Sequence, residues 1–155
     1  MEIWTDGGCI GNPGKGGWSY VIATGGEPEV GSGKDGSTTN NRMEMAAVIE
    51  ALERVEPQDS LLIRSDSQYV VKGWSEWLKG WLRSGKKVKN ADLWDRLRRA
   101  ATRHGKVELA HVKGHAGNEM NERADAVANA AARSAFRDEV TPYANAKAEF
   151  RPLAR

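Results

Sequence analysis

Apolar and polar positions follow two different periods along this chain, and the switches between them outline its elements. Ile3, Trp4 and Thr5 form a short β-prone run that leads into Asp6 and a glycine-rich stretch over 7–14. That pattern predicts a strand followed by a turn. Residues 18–23 are aromatic and β-branched, a second strand punctuated by Gly25, Gly26 and Pro28, and a third strand over 30–34 would complete a meander. The period then lengthens. Met45, Val48, Ile49, Leu52 and Val55 recur at helical spacing, with Thr39 or Asn40 as N-cap and Pro57 as the stop. The apolar run over 61–63 reads as a buried strand ending at Ser65-Asp66, and a helix starts near Ser67 and carries 69–78. A further helix spans about 91–104 with Leu93, Leu97 and Ala101 inward. Residues 107–112 alternate as a strand, and an alanine-rich helix spans about 119–136.

The order β-β-β-α-β-α-α-β-α predicts an α/β fold. Its sheet is mixed, an antiparallel meander joined to parallel strands, and helices cover it. The 155 residues suit one domain with a core of its own, and no repeat or inner linker divides them. The domain is expected over 1–136. From 137 to 155 the chain shows no periodicity and contains Pro142 and Pro152; it reads as a mobile tail, docked at one point by Tyr143 or Phe150.

Composition narrows the class. Apolar residues at 39% and charged residues at 28% describe a soluble protein rather than a fibrous or disordered one. No apolar run approaches the roughly 18 residues of a membrane span. The start MEIWTDGG lacks an apolar h-region, so no signal peptide is expected. Cys9 is the only cysteine, which excludes an internal disulfide and suits a reducing cytosol. The net charge of +2 says little, but its distribution says more. From 78 to 91 the chain carries Lys79, Arg83, Lys86, Lys87 and Lys89 and no acid, and Trp74, Trp77, Trp81 and Trp94 lie in or beside this stretch.

Four acids draw attention by where they fall. Asp6 and Asp66 end strands, and ligands gather at such ends where connections diverge. Glu44 lies in the first turn of its helix. On a helical wheel the apolar stripe spans about 20° to 140° from it, so it faces partly toward the sheet. Asp125 sits among Ala124, Val127 and Ala128, with Asn121 one turn earlier. Acids that converge repel unless a cation lies between them, and a hard divalent ion with oxygen ligands is the usual partner. Taken singly, each acid also fits a plainer role: a turn former, a partner of the helix dipole or a surface residue. Spacing alone does not bring them together.

The motifs T-D-G-G-C-I-G-N-P-G-x-G-G around Asp6, T-T-N-N-R-M-E ending at Glu44, S-D-S-Q-Y around Asp66, and V-K-G-H-A-G followed by N-E-R-A-D ending at Asp125 occur in that order. Together they resemble the bacterial ribonuclease HI family (type 1 ribonuclease H) over roughly residues 1–133, and four ordered motifs are far more specific than one. The resemblance implies a mixed five-stranded sheet. It also implies two magnesium ions, with manganese a possible substitute, on Asp6, Glu44, Asp66 and Asp125. A further implication is endonucleolytic cleavage of the RNA strand of RNA–DNA hybrids, giving 5′-phosphate and 3′-hydroxyl ends. The family's catalytic histidine falls on His115, flanked by Gly114 and Gly117, for proton transfer or product release; a lone loop histidine is otherwise commonly just solvated. His104 and His111 have no such context and read as structural or surface residues.

By the same resemblance, Gly7, Gly8, Cys9, Asn12, Asn40, Asn41 and Gln68 contact the hybrid near the site, and Thr39 with Asn12 holds a DNA-strand phosphate. Asn40 as a cap and Asn12 as a turn residue remain compatible roles. The basic stretch matches a protruding handle, shorter here than in the longer-handled members. Its Lys86, Lys87 and Lys89 would neutralise phosphates without reading sequence. Trp77 and Trp94 match aromatics that line or support the DNA-strand groove, whereas Trp74 and Trp81 read as core. A monomer without an obligate protein partner is expected. The alternatives are a non-catalytic hybrid-binding module, a DNA nuclease or transposase of the same fold, and a plain structural domain. The full set of acids argues against the first, the T-T-N-N-R-M-E and S-D-S-Q-Y motifs against the second, and the whole motif set against the third.

Overall fold

The computed structural model describes residues 1–85, 88–113, 119–134 and 149–150. β1 (Glu2–Ile10), β2 (Gly14–Ile22) and β3 (Glu29–Thr38) form the meander, followed by α1 (Asn40–Arg54) and β4 (Ser60–Ser65). One helical stretch comes next, made of α2 (Gln68–Lys72), a π-helical turn over Gly73–Trp77 and α3 (Leu78–Ser84). The order ends with β5 (Val88–Lys89), α4 (Ala91–Ala101), β6 (Lys106–His111), α5 (Glu119–Ser134) and β7 (Glu149–Phe150).

The main sheet has the expected mixed topology, with strand order β3-β2-β1-β4-β6. β1 pairs antiparallel with β2 and parallel with β4, and β4 pairs parallel with β6. On one face, Ile3, Ile22 and Ile63 of the sheet pack with Met45, Ile49 and Leu52 of α1 and Leu93 and Leu97 of α4. On the other, Trp4 and Val21 pack against Ala124 of α5. Among the described residues no helix is long and apolar enough to cross a membrane.

Helix ends follow local chemistry. Thr39, rather than Asn40, caps α1: its hydroxyl accepts from the Arg42 backbone N–H at 3.2 Å. Ser67 caps α2 by accepting from the Val70 N–H at 3.2 Å. His104 is buried; its Nδ1 accepts from the Gln58 N–H at 3.1 Å, so Nε2–H is left to donate to the Leu52 carbonyl at 2.9 Å. It is a structural residue.

Three expectations need correction. The glycine-rich stretch after Asp6 is not all turn. Gly7 to Ile10 continue β1, because Lys15 to Trp18 of β2 lie opposite and supply hydrogen-bond partners. β3 is longer than 30–34 for the same reason, since β2 pairs with it from Ile22 to Gly14. Trp94 does not line a groove; it is fully buried and packs in the core under α2 and α3. A Cβ on Gly73 would lie 2.2 Å from the Trp94 indole, so only glycine lets the helix cross the ring there, and the π-helical turn starts at that point. The tail is docked at Phe150, one of the two points expected: Glu149 and Phe150 pair antiparallel with Lys89 and Val88, as a short strand that periodicity does not predict. Tyr143 and the rest of the tail lie outside the described residues.

Candidate active site

The parallel register of β1 and β4 ends at Thr5 opposite Ser65. The next residue on each strand is an aspartate, so Asp6 and Asp66 emerge side by side where β4 stops and β1 runs on with β2. This is the point where the parallel and antiparallel parts of the sheet diverge, a common place for a ligand site.

Glu44 arrives from α1. A Cβ on Gly7 would lie 2.3 Å from the Met43 carbonyl carbon, so the missing side chain is what lets the first turn of α1 settle against β1. The Gly7 backbone N–H then donates to Asp6 Oδ1 at 2.9 Å and to Glu44 Oε1 at 3.1 Å. Oxygens of Asp6, Glu44 and Asp66 all lie within 4.8 Å of one another. Asp6 and Glu44 are buried, and Asp66 is partly exposed. Asp125, half-buried on α5, lines a small cleft with Asp6, Gly7, Gly8 and Ala128.

The electrostatics show how poorly this cluster tolerates its own charge. Burial, then the side chain of Asp125 and the charges of Asp66 and Asp125, push the Asp6 carboxyl up to about 8. Burial, then the charges of Asp6 and Asp66, hold Glu44 well above the usual carboxylate range. Asp66 is raised by burial first and by Asp125 second, while His111 acts in the opposite sense. An oxygen-only donor set with excess negative charge fits a hard divalent cation such as magnesium.

Around the cluster, the exposed amides are oriented by backbone groups. The Cys9 N–H donates to Asn40 Oδ1 at 2.8 Å, and the Asn40 N–H donates to Asn12 Oδ1 at 3.1 Å. Each carboxamide oxygen is thus engaged, and both residues are exposed, so their NH₂ groups are the donors they can offer a ligand. Asn41 and Gln68 are exposed in the first turns of α1 and α2. Burial and the charge of Asp35 push the half-buried Cys9 thiol up to about 11.

The basic stretch forms a second surface. Lys72, Lys79, Arg83 and Lys89 are exposed, and Trp77 is 38% exposed. A chain of packed rings runs from Trp77 through Trp81 and Tyr69 to buried Trp94, with centroids 5.5–6.2 Å apart. His115, Lys86 and Lys87 lie outside the described residues. Sequence reasoning missed two groups. The Gly7 N–H bridges two acids, and backbone groups leave no residue-type signal. Arg42 sits in the same motif as Glu44, is itself buried and makes an ion pair with half-buried Asp92; its position beside the apolar stripe of α1 was the available clue.

Residues 1–133 match the RNase H family model. A ribonuclease H of Chromobacterium violaceum is 50% identical over 135 residues, covering 83% of this chain and 92% of that protein. A ribonuclease HI of Caulobacter vibrioides is 48% identical over 141 residues, covering 87% of this chain and 94% of that one. The crystal structure of LC11-RNase H1 in complex with an RNA/DNA hybrid superimposes with a TM-score of 0.68 at 25% identity, covering 85% of this chain and 96% of that one. With its mixed five-stranded sheet and an acid cluster where that sheet divides, this chain belongs to the RNase H family.

Proposed function

We infer that this protein is an endonuclease that hydrolyses the RNA strand of an RNA–DNA hybrid, using two magnesium ions held by Asp6, Glu44, Asp66 and Asp125. The observation that carries this reading is the convergence of three acid oxygens within 4.8 Å in a member of the RNase H family. A binding module has no use for buried acids that repel one another and hold protons; in a metal site a cation would displace the proton and neutralise the repulsion. Such ions, with manganese a possible substitute, would be held by these four acids and would supply Lewis-acid activation of water and charge neutralisation at the phosphodiester.

The chain's own groups divide the remaining work. Gly7 N–H holds the Asp6 and Glu44 carboxylates in one orientation. Asp66 and Asp125 are less buried than Asp6 and Glu44, and Asp125 lines the small cleft beside Asp6, leaving both within reach of a substrate phosphate. His115, by family resemblance, moves a proton or helps product leave. The NH₂ groups of exposed Asn12 and Asn40, with Asn41 and Gln68, offer donors to 2′-hydroxyl oxygens and minor-groove acceptors, as reading RNA against DNA requires. Gly8 and Cys9 bring the β1 backbone beside them, and Thr39 with Asn12 faces a DNA-strand phosphate. Trp77 offers an exposed ring, Trp94 supports it from beneath, and Lys86, Lys87 and Lys89 neutralise phosphates. The protein acts as a cytoplasmic monomer, with a 5′-phosphate and a 3′-hydroxyl as products.

Labelled RNA–DNA hybrid, RNA duplex and DNA duplex, each with magnesium or with EDTA, test this reading. The expected result is cleavage of the hybrid's RNA strand alone, lost in EDTA and in a folded Asp66→Asn variant. Cleavage of duplex DNA, or substantial hybrid cleavage by Asp66→Asn, overturns it.

A further inference from the structure

The buried network around Arg42 has no place in the chemistry just described. Arg42 is the third residue of α1, two before Glu44, and its side chain is 2% exposed. Its guanidinium grips Asp92 with both nitrogens, Nη1 to Oδ1 at 3.0 Å and Nη2 to Oδ2 at 2.6 Å. Nη1 also donates to Asn90 Oδ1 at 3.2 Å. Asn90 uses its other end as well, donating from Nδ2 to Tyr69 Oη at 3.1 Å, and Trp94 Nε1 donates to the same oxygen at 3.2 Å.

Three features of Asn90 show that this arrangement is imposed. It is the only non-glycine residue with positive φ among the described residues, at 58°, a conformation that costs an ordinary side chain energy. It stands at the N-cap of α4, where an asparagine would usually accept from a helix N–H, yet its side chain makes no such bond. It directly follows the β5 residues Val88 and Lys89, where the basic stretch returns to the core. One residue is therefore tied both to α1, which carries Glu44, and to α2, which starts just after Asp66.

We propose that Arg42 is a positioning residue that, through Asn90, ties the base of the basic handle to α1, which bears Glu44, and to α2, which starts just after Asp66, so that a hybrid held on the handle meets the carboxylates in fixed register. The proposal rests on the hybrid-cleavage reading above. A planar fork is what the geometry needs: lysine keeps the charge but cannot bond Asp92 through two nitrogens and Asn90 at once.

Hybrid length separates this role from simple support of the fold. Magnesium-dependent cleavage is measured on a hybrid of about half a helical turn, too short to bridge site and handle, and on one of about two turns, with about 10 base pairs per turn. The wild type is expected to have the higher kcat/KM on the long hybrid. Arg42→Lys, and separately Asn90→Ala, should lower kcat/KM on the long hybrid about tenfold, as expected for losing one charge-assisted hydrogen bond. Cleavage positions on the long hybrid should spread, while the short hybrid changes less than about twofold. Asp92→Asn, with Asp92 29% exposed, keeps the packing and serves should the other two fail to fold. Equal loss on both hybrids, or an unchanged long-hybrid advantage in every folded variant, overturns the proposal. A wild type that cleaves both hybrids equally removes the handle's role and the clamp together, while leaving hybrid cleavage itself standing.

Discussion

Removing the metal should make this protein less stable as pH rises through neutrality, and one substitution should cancel the effect. In the unfolded chain Asp6 ionises near its ordinary value of 3.8, whereas in the fold burial and neighbouring acids push it up to about 8. Between those values the folded state holds a proton that the unfolded state has released. Stability is then greatest below the unfolded value and falls with rising pH until the folded value is passed. Each pH unit in that window costs about 1.4 kcal/mol per proton held, so pH 5 to pH 7 costs about 3 kcal/mol. Glu44 and Asp66 are raised in the same direction and add to the slope rather than offset it. In a chain of this size about 3 kcal/mol corresponds to roughly 6–12 °C in Tm. Asp6→Asn removes the proton-holding group and relieves Glu44 of a neighbouring charge. The assay is thermal or urea unfolding of wild type and Asp6→Asn in EDTA at pH 5, 6, 7 and 8. The expected outcome is a falling stability for wild type, a flatter line for the variant, and a variant more stable than wild type at pH 7. Magnesium should raise the wild-type Tm at pH 7 more than that of the variant, since only the intact cluster binds it well. Parallel pH dependences for the two proteins in EDTA would refute the account of the cluster's electrostatics.

Gly7→Ala would place a Cβ 2.3 Å from the Met43 carbonyl carbon, a backbone atom that cannot swing aside. Urea unfolding should show a loss of about 3 kcal/mol, the upper end for overpacking, and calorimetry should show weaker magnesium binding as Glu44 moves away. Cys9, with its thiol pushed up to about 11 from 9.0, has about one-hundredth of the usual thiolate. Higher basicity returns about tenfold in nucleophilicity, so its reaction with an aromatic disulfide at pH 8 should be about tenfold slower than that of a free cysteine peptide. Changing Lys86, Lys87 and Lys89 to alanine together should weaken binding alike for hybrids of unrelated sequence. It should also make the salt slope shallower, by roughly 0.9 for each phosphate no longer neutralised if the hybrid behaves as B-form duplex, and leave cleavage at saturating hybrid nearly unchanged. An unchanged KM and slope would return these lysines to a solvated surface.

Much of this architecture was legible along the chain because the information is local. Helical and strand periods, Thr39 as a cap, a helix start near Ser67, and Pro57 beyond a helix end all act within a few residues of themselves, so the element order and the mixed sheet could be read directly. The acids stood out through four motifs, but each motif is a local string. That Asp6 and Asp66 stand side by side depends on Thr5 lying opposite Ser65, a pairing between distant segments. That Glu44 joins them depends on a helix settling where Gly7 has no side chain. Strand length was misjudged after Asp6 because glycines carry no alternation, and the partner strand alone decided that they extend β1. The tryptophans were the hardest case. Trp77 and Trp94 are the same residue type beside the same basic stretch, yet one is 38% exposed and the other 0%. Packing against α2, α3 and α4 separates them, because burial is a property of what surrounds a side chain and not of the side chain itself. The tie from Arg42 through Asn90 to Tyr69 was invisible for the same reason. Its members lie far apart along the chain, and only the folded protein brings their donors and acceptors within reach.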